Sequence, residues 1–416
     1  MQLIGFLNFI KRNIAFVFLL SLFSFGLLFS MISSYMGFMG EDNLFSSSIR
    51  KFNFFLAFIG VIISLKSKLY QKFLTKELFF LYLLYLYYIF IVKIDLSNID
   101  AAGIVMPTKD KQLIMFRMTR LVFFPMLAVL LFRIRGLNLF KLAKAILISL
   151  LVSLILALLV LNLSFGGMVD ERLSIEGELN ALNMGYWGAT LFVLCLFFVT
   201  KEKNKIQKIV ISSLGFLIAF YIMLISGSRG PILYSLIIFY YYMFITSAFY
   251  KVKKIITIVL VFILLILVLD YTILTDIIGT YNPNLEERLI SSVEDQEISG
   301  RDKLYEIGIN QFLSKPITGD YFLLKSGHYK GEYPHNILIE ALMTLGLIGA
   351  IPFFILLIKT FNRVHYMIKR NDNTSWIALI FLISFFKGMS TWNLYGNLLL
   401  WISMGIILSY KMNCIK

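Results

Sequence analysis

Residues 145–163 read AILISLLVSLILALLVLNL, nineteen positions without a single charge. A helix of that length rises about 28 Å, close to the ~30 Å hydrocarbon core of a bilayer. Backbone amides must be satisfied within lipid, so such a run crosses as an α-helix. A barrel strand would instead alternate over about ten residues. Similar runs recur on both sides. Working outward, candidate spans fall at 14–32, 52–65, 78–92, 119–132, 145–163, 185–200, 208–226, 231–249, 255–277, 335–358, 375–387 and 391–410. The second, fourth and eleventh are short, and flanking Tyr, Trp and Lys must complete them at the interface. The expected fold is an all-α polytopic membrane protein of about twelve transmembrane helices, 1–416 forming one integral membrane domain; ten is the rival count.

Composition agrees. Of 416 residues, 59% are hydrophobic and 15% charged, with mean hydropathy +0.82. Soluble domains sit near half apolar and a quarter charged, so a soluble class is excluded. The run Ile14 to Ile32 is too long for a signal h-region and lacks a small-residue cleavage site, so it reads as the first anchor. Cys195 and Cys414 fall in or beside spans and offer neither a disulfide framework nor a metal cluster.

The net charge of +15 invites a nucleic-acid reading, but its distribution points to topology. With the N-terminus inside, the inner segments hold 23 of the 39 basic residues and only Glu77, Glu202 and Asp372 of the 24 acidic ones, a net +20. The opposite side sums to −5. Positive charge in short loops stays cytoplasmic, and such clusters also meet anionic lipid. Both termini are therefore expected in the cytoplasm, with membrane lipid and no nucleic acid as partner. The longest outer loop, 278–334, precedes the tenth span. Within it, Leu304, Ile307, Ile309 and Phe312 lie at near-helical spacing and Pro316 follows as a stop, which predicts a helix over Asp302 to Leu313.

Candidate chemistry gathers on that outer side. Ser226-Gly227-Ser228-Arg229-Gly230-Pro231 is a turn with a proline to restart a helix. A guanidinium at the membrane edge costs free energy unless it is paired or holds a ligand, and its planar fork suits phosphate. Arg229 is thus either a phosphate clamp or a side chain snorkelling to headgroups. Arg288 follows Glu286 and Glu287, so a surface ion-pair network is its plain alternative. Arg301 opens the loop helix, where Asp302 and Glu306 could pair with it; with Arg229 it would complete a diphosphate site. His328 reads as surface and His365 as part of a basic cytoplasmic linker. His335, in Tyr333-Pro334-His335-Asn336, is read as starting a membrane helix, with Glu332 before it and Glu340 five residues on. An imidazole there could cap or pack. It could equally take a proton from a sugar hydroxyl near neutral pH. No DxD-like pair lies on the cytoplasmic side, and no P-loop or metal-spaced His/Cys cluster is present.

These pieces together resemble the O-antigen polymerase and O-antigen ligase superfamily. They are Ser228-Arg229-Gly230, Gly300-Arg301, Pro316-Ile317-Thr318-Gly319, Pro334-His335-Asn336, Glu340 and Leu345-Gly346-Leu347-Ile348-Gly349, spanning roughly 215–360. The resemblance implies a fold of the membrane glycosyltransferase C type in a bacterial inner membrane. It implies a site facing the periplasm that needs no metal or other cofactor and acts on undecaprenyl-diphosphate-linked oligosaccharide. By the family's motif, Arg229 and Arg301 would hold the donor diphosphate and His335 would be the base on the acceptor. Arg288, Asn336, Glu340 and Ser228 would line the substrate, and a polysaccharide chain-length regulator is a candidate partner. The short interval from Gly319 to His335 and the Tyr-Pro-His-Asn sequence are similar to polymerases rather than enteric ligases. The −5 outer face also fits poorly with a ligase's anionic core acceptor. A flippase for lipid-linked sugars would show paired, Gly/Pro-broken spans in two halves, a pattern not visible here.

Overall fold

A computed structural model describes residues 2–25, 54–63, 75–134, 136–165, 181–246 and 301–410, with isolated positions at 27–28, 31–32 and 52. Every regular element among them is helical. In chain order these are α1 (Gln2–Leu20, running into a π-turn at Ser21–Phe25), α2 (Phe54–Ile63), α3 (Lys76–Ser97), α4 (Thr108–Phe132), α5 (Leu139–Phe165) and α6 (Ala181–Lys201). Then come α7 (Lys205–Ile225), α8 (Arg229–Ile245), α9 (Arg301–Ser314), α10 (Ile337–Arg370), α11 (Ser375–Ser390) and α12 (Leu398–Ser409). Six are long and apolar enough to cross a membrane: α3, α4, α5, α6, α7 and α10. The expected span 255–277, loop segment 278–300 and Arg288 lie outside the described residues.

The helices obey their capping residues. Thr75 Oγ1 accepts from the Leu78 amide at 3.3 Å, and Asn204 Oδ1 accepts from Gln207 at 3.1 Å. Asn371, in left-handed backbone at φ 46°, ends α10. Two expected spans are longer than hydropathy suggested: α3 runs on to Ser97 and α4 starts at Thr108, so loop 93–118 shrinks to a short turn. Helical hydrogen bonding continues into the polar interface, where hydropathy has already fallen.

α11 and α12 are short but form the centre. Trp376 is fully buried, and Trp401 packs on Tyr85 with ring centroids 4.4 Å apart. α6 is largely buried, whereas α7 exposes Ile206, Leu217 and Phe220 as a lipid-facing stripe. Gly185 and Gly188 let α6 press against α7 and the turn beyond it. A Cβ on Gly185 would lie 2.6 Å from Ser226 Oγ, and one on Gly188 would lie 2.9 Å from the Ala219 carbonyl.

Ion pairs sort the helix ends into the two sets expected from charge. Glu77 meets Lys359 and Arg363, and Glu202 meets Lys144, all from the lysine-rich set. Asp100 meets Lys111, and Asp320 meets Lys315 and Lys325, all from the opposite set.

The most consequential departure from the sequence reading is inside α10. At Gly346 the backbone turns to φ 56°, ψ −169°, which breaks the helix into Ile337–Leu345 and Leu347–Arg370. The segment Pro316–Gly319 fills the break. The amides of Leu347 and Ile348 donate to the carbonyls of Pro316 (2.8 Å) and Ile317 (3.2 Å), and the Asp320 amide donates to Met343 (2.7 Å). The contact is glycine on glycine: a Cβ on Gly319 would lie 2.3 Å from the Thr344 carbonyl oxygen, and one on Gly346 would lie 2.3 Å from the Gly319 amide. The two short motifs read separately along the chain are thus halves of one joint. It fastens α9 to α10.

Candidate functional site

Three helix beginnings come together. Arg229 is the first residue of α8, Arg301 the first of α9, and His335 stands two residues ahead of α10. The free amides of a helix's first turn carry about half a positive charge, which favours an anion at the beginnings of α8 and α9.

The turn into α8 is made by Gly227 at φ 60°, by Ser226, whose hydroxyl donates to the Met223 carbonyl (2.8 Å), and by buried Ser228 at the N-cap. Arg301 lies near enough to Arg229 and His335 for its charge to act on both. α9 is seated by Gly308 against Ile339 and Pro334, and Tyr305 hydrogen-bonds Asn336.

His335 is not the first residue of a helix, as its sequence suggested. Asn336 takes the cap, its Oδ1 accepting from the amides of Leu338 (3.0 Å) and Ile339 (3.3 Å). That leaves His335 in left-handed backbone at φ 53°. The conformation costs a non-glycine residue about 1–2 kcal/mol. Its ring lies 4.3 Å from that of Tyr333, and the Thr391 carbonyl is close enough to act on its charge. Burial lowers the His335 pKa below the ordinary histidine value, and the Arg301 charge acts the same way; the Thr391 carbonyl and Glu332 oppose them. The result is a neutral imidazole at neutral pH. A neutral imidazole keeps one nitrogen as an acceptor, which is the state a general base requires.

Other expected residues stand behind this surface. Asn336 is engaged as the cap. Glu340 is fully buried, with Oε1 accepting from the Tyr88 hydroxyl and Oε2 from the Leu394 amide, each at 2.8 Å.

Several residues at the site were not singled out from sequence. Tyr186 feels the Arg301 charge and bonds Ser390 at 2.6 Å, beside Gly230. Tyr234 stacks on Phe386 at 4.8 Å. Lys387 bonds Asn183 (3.0 Å) and lies 3.8 Å from the centre of the Trp392 ring. Arg117 acts on Tyr333 and Tyr395. Only Lys387 carries a local signal, as a lysine inside an apolar run. The others come from distant spans and are gathered by packing alone.

A family model described as O-Antigen ligase matches residues 214–354. The match starts in α7, takes in the Ser228-Arg229-Gly230 turn, α9, the glycine joint and His335, and ends in α10. It is consistent with the resemblance to the O-antigen polymerase and ligase superfamily. No curated protein matches the chain.

Proposed function

We propose that the protein is a surface-polysaccharide polymerase. It transfers a glycan from an undecaprenyl-diphosphate carrier onto the non-reducing end of a lipid-linked repeat unit, at the periplasmic face of a bacterial inner membrane. The observation that carries this reading is the placing of two arginines at helix beginnings near a partly buried histidine whose pKa is lowered. The acceptor hydroxyl gives its proton to the free nitrogen of His335. Its oxygen then bonds to the donor's anomeric carbon from the face opposite the leaving group. The carbon–oxygen bond to phosphate breaks, and the electron pair departs with the diphosphate. Arg229 and Arg301, aided by the helix ends, stabilise that charge as it develops. Ser228 and Arg288 belong to the donor side of the same proposal.

Ligase activity is the second reading, favoured by the description of the matching family model. Lipopolysaccharide banding of a deletion strain separates the two. Core carrying one repeat unit marks a lost polymerase. Bare core with accumulated lipid-linked polymer marks a lost ligase, and unflipped repeat units would point to transport instead. Restoring the strain with His335→Ala should leave the banding of the deletion at normal protein level. Wild-type chain length in that strain would end the base assignment.

A further inference from the structure

The base at the site is held by a loop, and the loop is held by a carboxyl group that never reaches the site. Tyr333, whose ring lies 4.3 Å from that of His335, donates to the Thr391 carbonyl at 3.5 Å, and the same carbonyl acts on the imidazole. Thr391 opens the segment 391–397 between α11 and α12. Three residues on, both backbone groups of Leu394 are fixed. Its amide donates to Glu340 Oε2 (2.8 Å), and its carbonyl accepts from Trp401 Nε1 (2.8 Å). The other Glu340 oxygen is held by Tyr88 of α3 (2.8 Å). Glu340 lies in the same half-helix of α10 that His335 precedes. Imidazole and orienting carbonyl are therefore tied to one rigid body by a single buried side chain. A buried carboxyl group is costly unless its oxygens find donors, and both do here.

We propose that Glu340 is a positioning residue: by clasping the Leu394 amide it holds the Thr391 carbonyl where it orients the His335 ring. This rests on His335 acting as the base. The clasp needs an acceptor toward Leu394 and a polar partner toward Tyr88, and it needs no negative charge. A glutamine meets both demands, since its carbonyl accepts from Leu394 and its amide donates to the tyrosine oxygen.

The test uses membranes from the deletion strain restored with the full chain, supplied with lipid-linked repeat units extracted from that strain, with polymerisation followed against pH. Glu340→Gln should keep most of the rate and leave the acid limb of the profile in place. Glu340→Ala should lose about tenfold to a hundredfold in rate, the scale of a small misplacement of a reacting group. Its acid limb should also move to lower pH, because a carbonyl that stabilises the imidazolium has been withdrawn; Arg301 and Glu332, the charged groups that also act on His335, are unchanged. A Glu340→Gln protein as dead as His335→Ala would overturn the proposal, as would a Glu340→Ala protein with its acid limb unmoved. An active His335→Ala protein would strike the base assignment itself and is scored separately.

Discussion

Replacing Gly346 by alanine tests whether the joint between α9 and α10 sets the site. The backbone there, φ 56° and ψ −169°, lies next to a region essentially confined to glycine. Forcing a side chain into such a region costs roughly 1–3 kcal/mol. The new Cβ would also lie 2.4 Å from the Ile317 carbonyl oxygen and 2.3 Å from the Gly319 amide nitrogen, and both are backbone atoms with no rotamer to yield. The segment must back away, and the bonds from Leu347 to Pro316 and from Ile348 to Ile317 go with it. At about 1 kcal/mol each, the total loss is about 3–5 kcal/mol. Gly327→Ala is the matched control. It too has positive φ, at +76°, but its Cβ meets only Ile307 Cδ1 at 3.1 Å, the tip of a side chain that can turn, so the backbone strain of roughly 1–2 kcal/mol remains alone. Thermal unfolding of the two detergent-solubilised variants should separate them clearly. Polymer should fail for Gly346→Ala, because α9 carries Arg301 and α10 follows His335. Equal melting temperatures, or full-length polymer from Gly346→Ala, would refute the joint as the element that sets the site.

Arg229→Lys and Arg301→Lys keep the charge and lose the fork. Each should lower the polymerisation rate on the order of a hundredfold, the scale of removing one preorganised donor from a transition-state anion; nearly full activity for Arg229→Lys would return it to headgroup snorkelling. The pH profile follows from the sign of the His335 shift. The base works when neutral, and burial and Arg301 lower its pKa, so activity should rise with pH through a limb below the ordinary histidine value and stay flat through neutrality. A limb at pH 7 or above in membrane assays would contradict the burial argument.

Much of this was legible in the sequence because hydropathy and charge are local. The runs that read as spans within the described residues are largely helical, though 391–397 is an irregular segment ahead of α12, and residues sorted to one side by charge meet one another. Arg229, Arg301 and His335 stood out as ionisable groups beside turn residues at span edges, and the helix opened by Arg301 was readable from its spacing and its proline stop. The break at Gly346 was not readable. Leu345-Gly346-Leu347 continues an apolar run, and only the docking of Pro316–Gly319 makes the interruption favourable. Tyr186, Arg117 and Thr391 stayed hidden because nothing local marks them. Lys387 did carry a mark, but a lysine near the end of a short span reads equally as an interface anchor. The −5 total of the outer side also proved a poor guide to the site itself, where Arg117, Arg229, Arg301 and Lys387 collect. A charge sum over a whole face averages away the one place where a phosphorylated substrate would bind.

The broken helix bears on how the chain is made. Ile337–Leu345 is nine residues, a rise of about 14 Å, less than half the hydrocarbon thickness. The insertion machinery has no reason to release such a piece into lipid as a span. The stretch it can act on is Leu347–Arg370, with Lys369 and Arg370 to hold its far end. The short half, with Glu340 already in it, must settle afterwards, once Pro316–Gly319 has folded back and α11 and α12 have arrived to supply the Leu394 amide. The histidine would then be among the last groups to reach its place. Newly inserted chains would carry both arginines before His335 stood beside them.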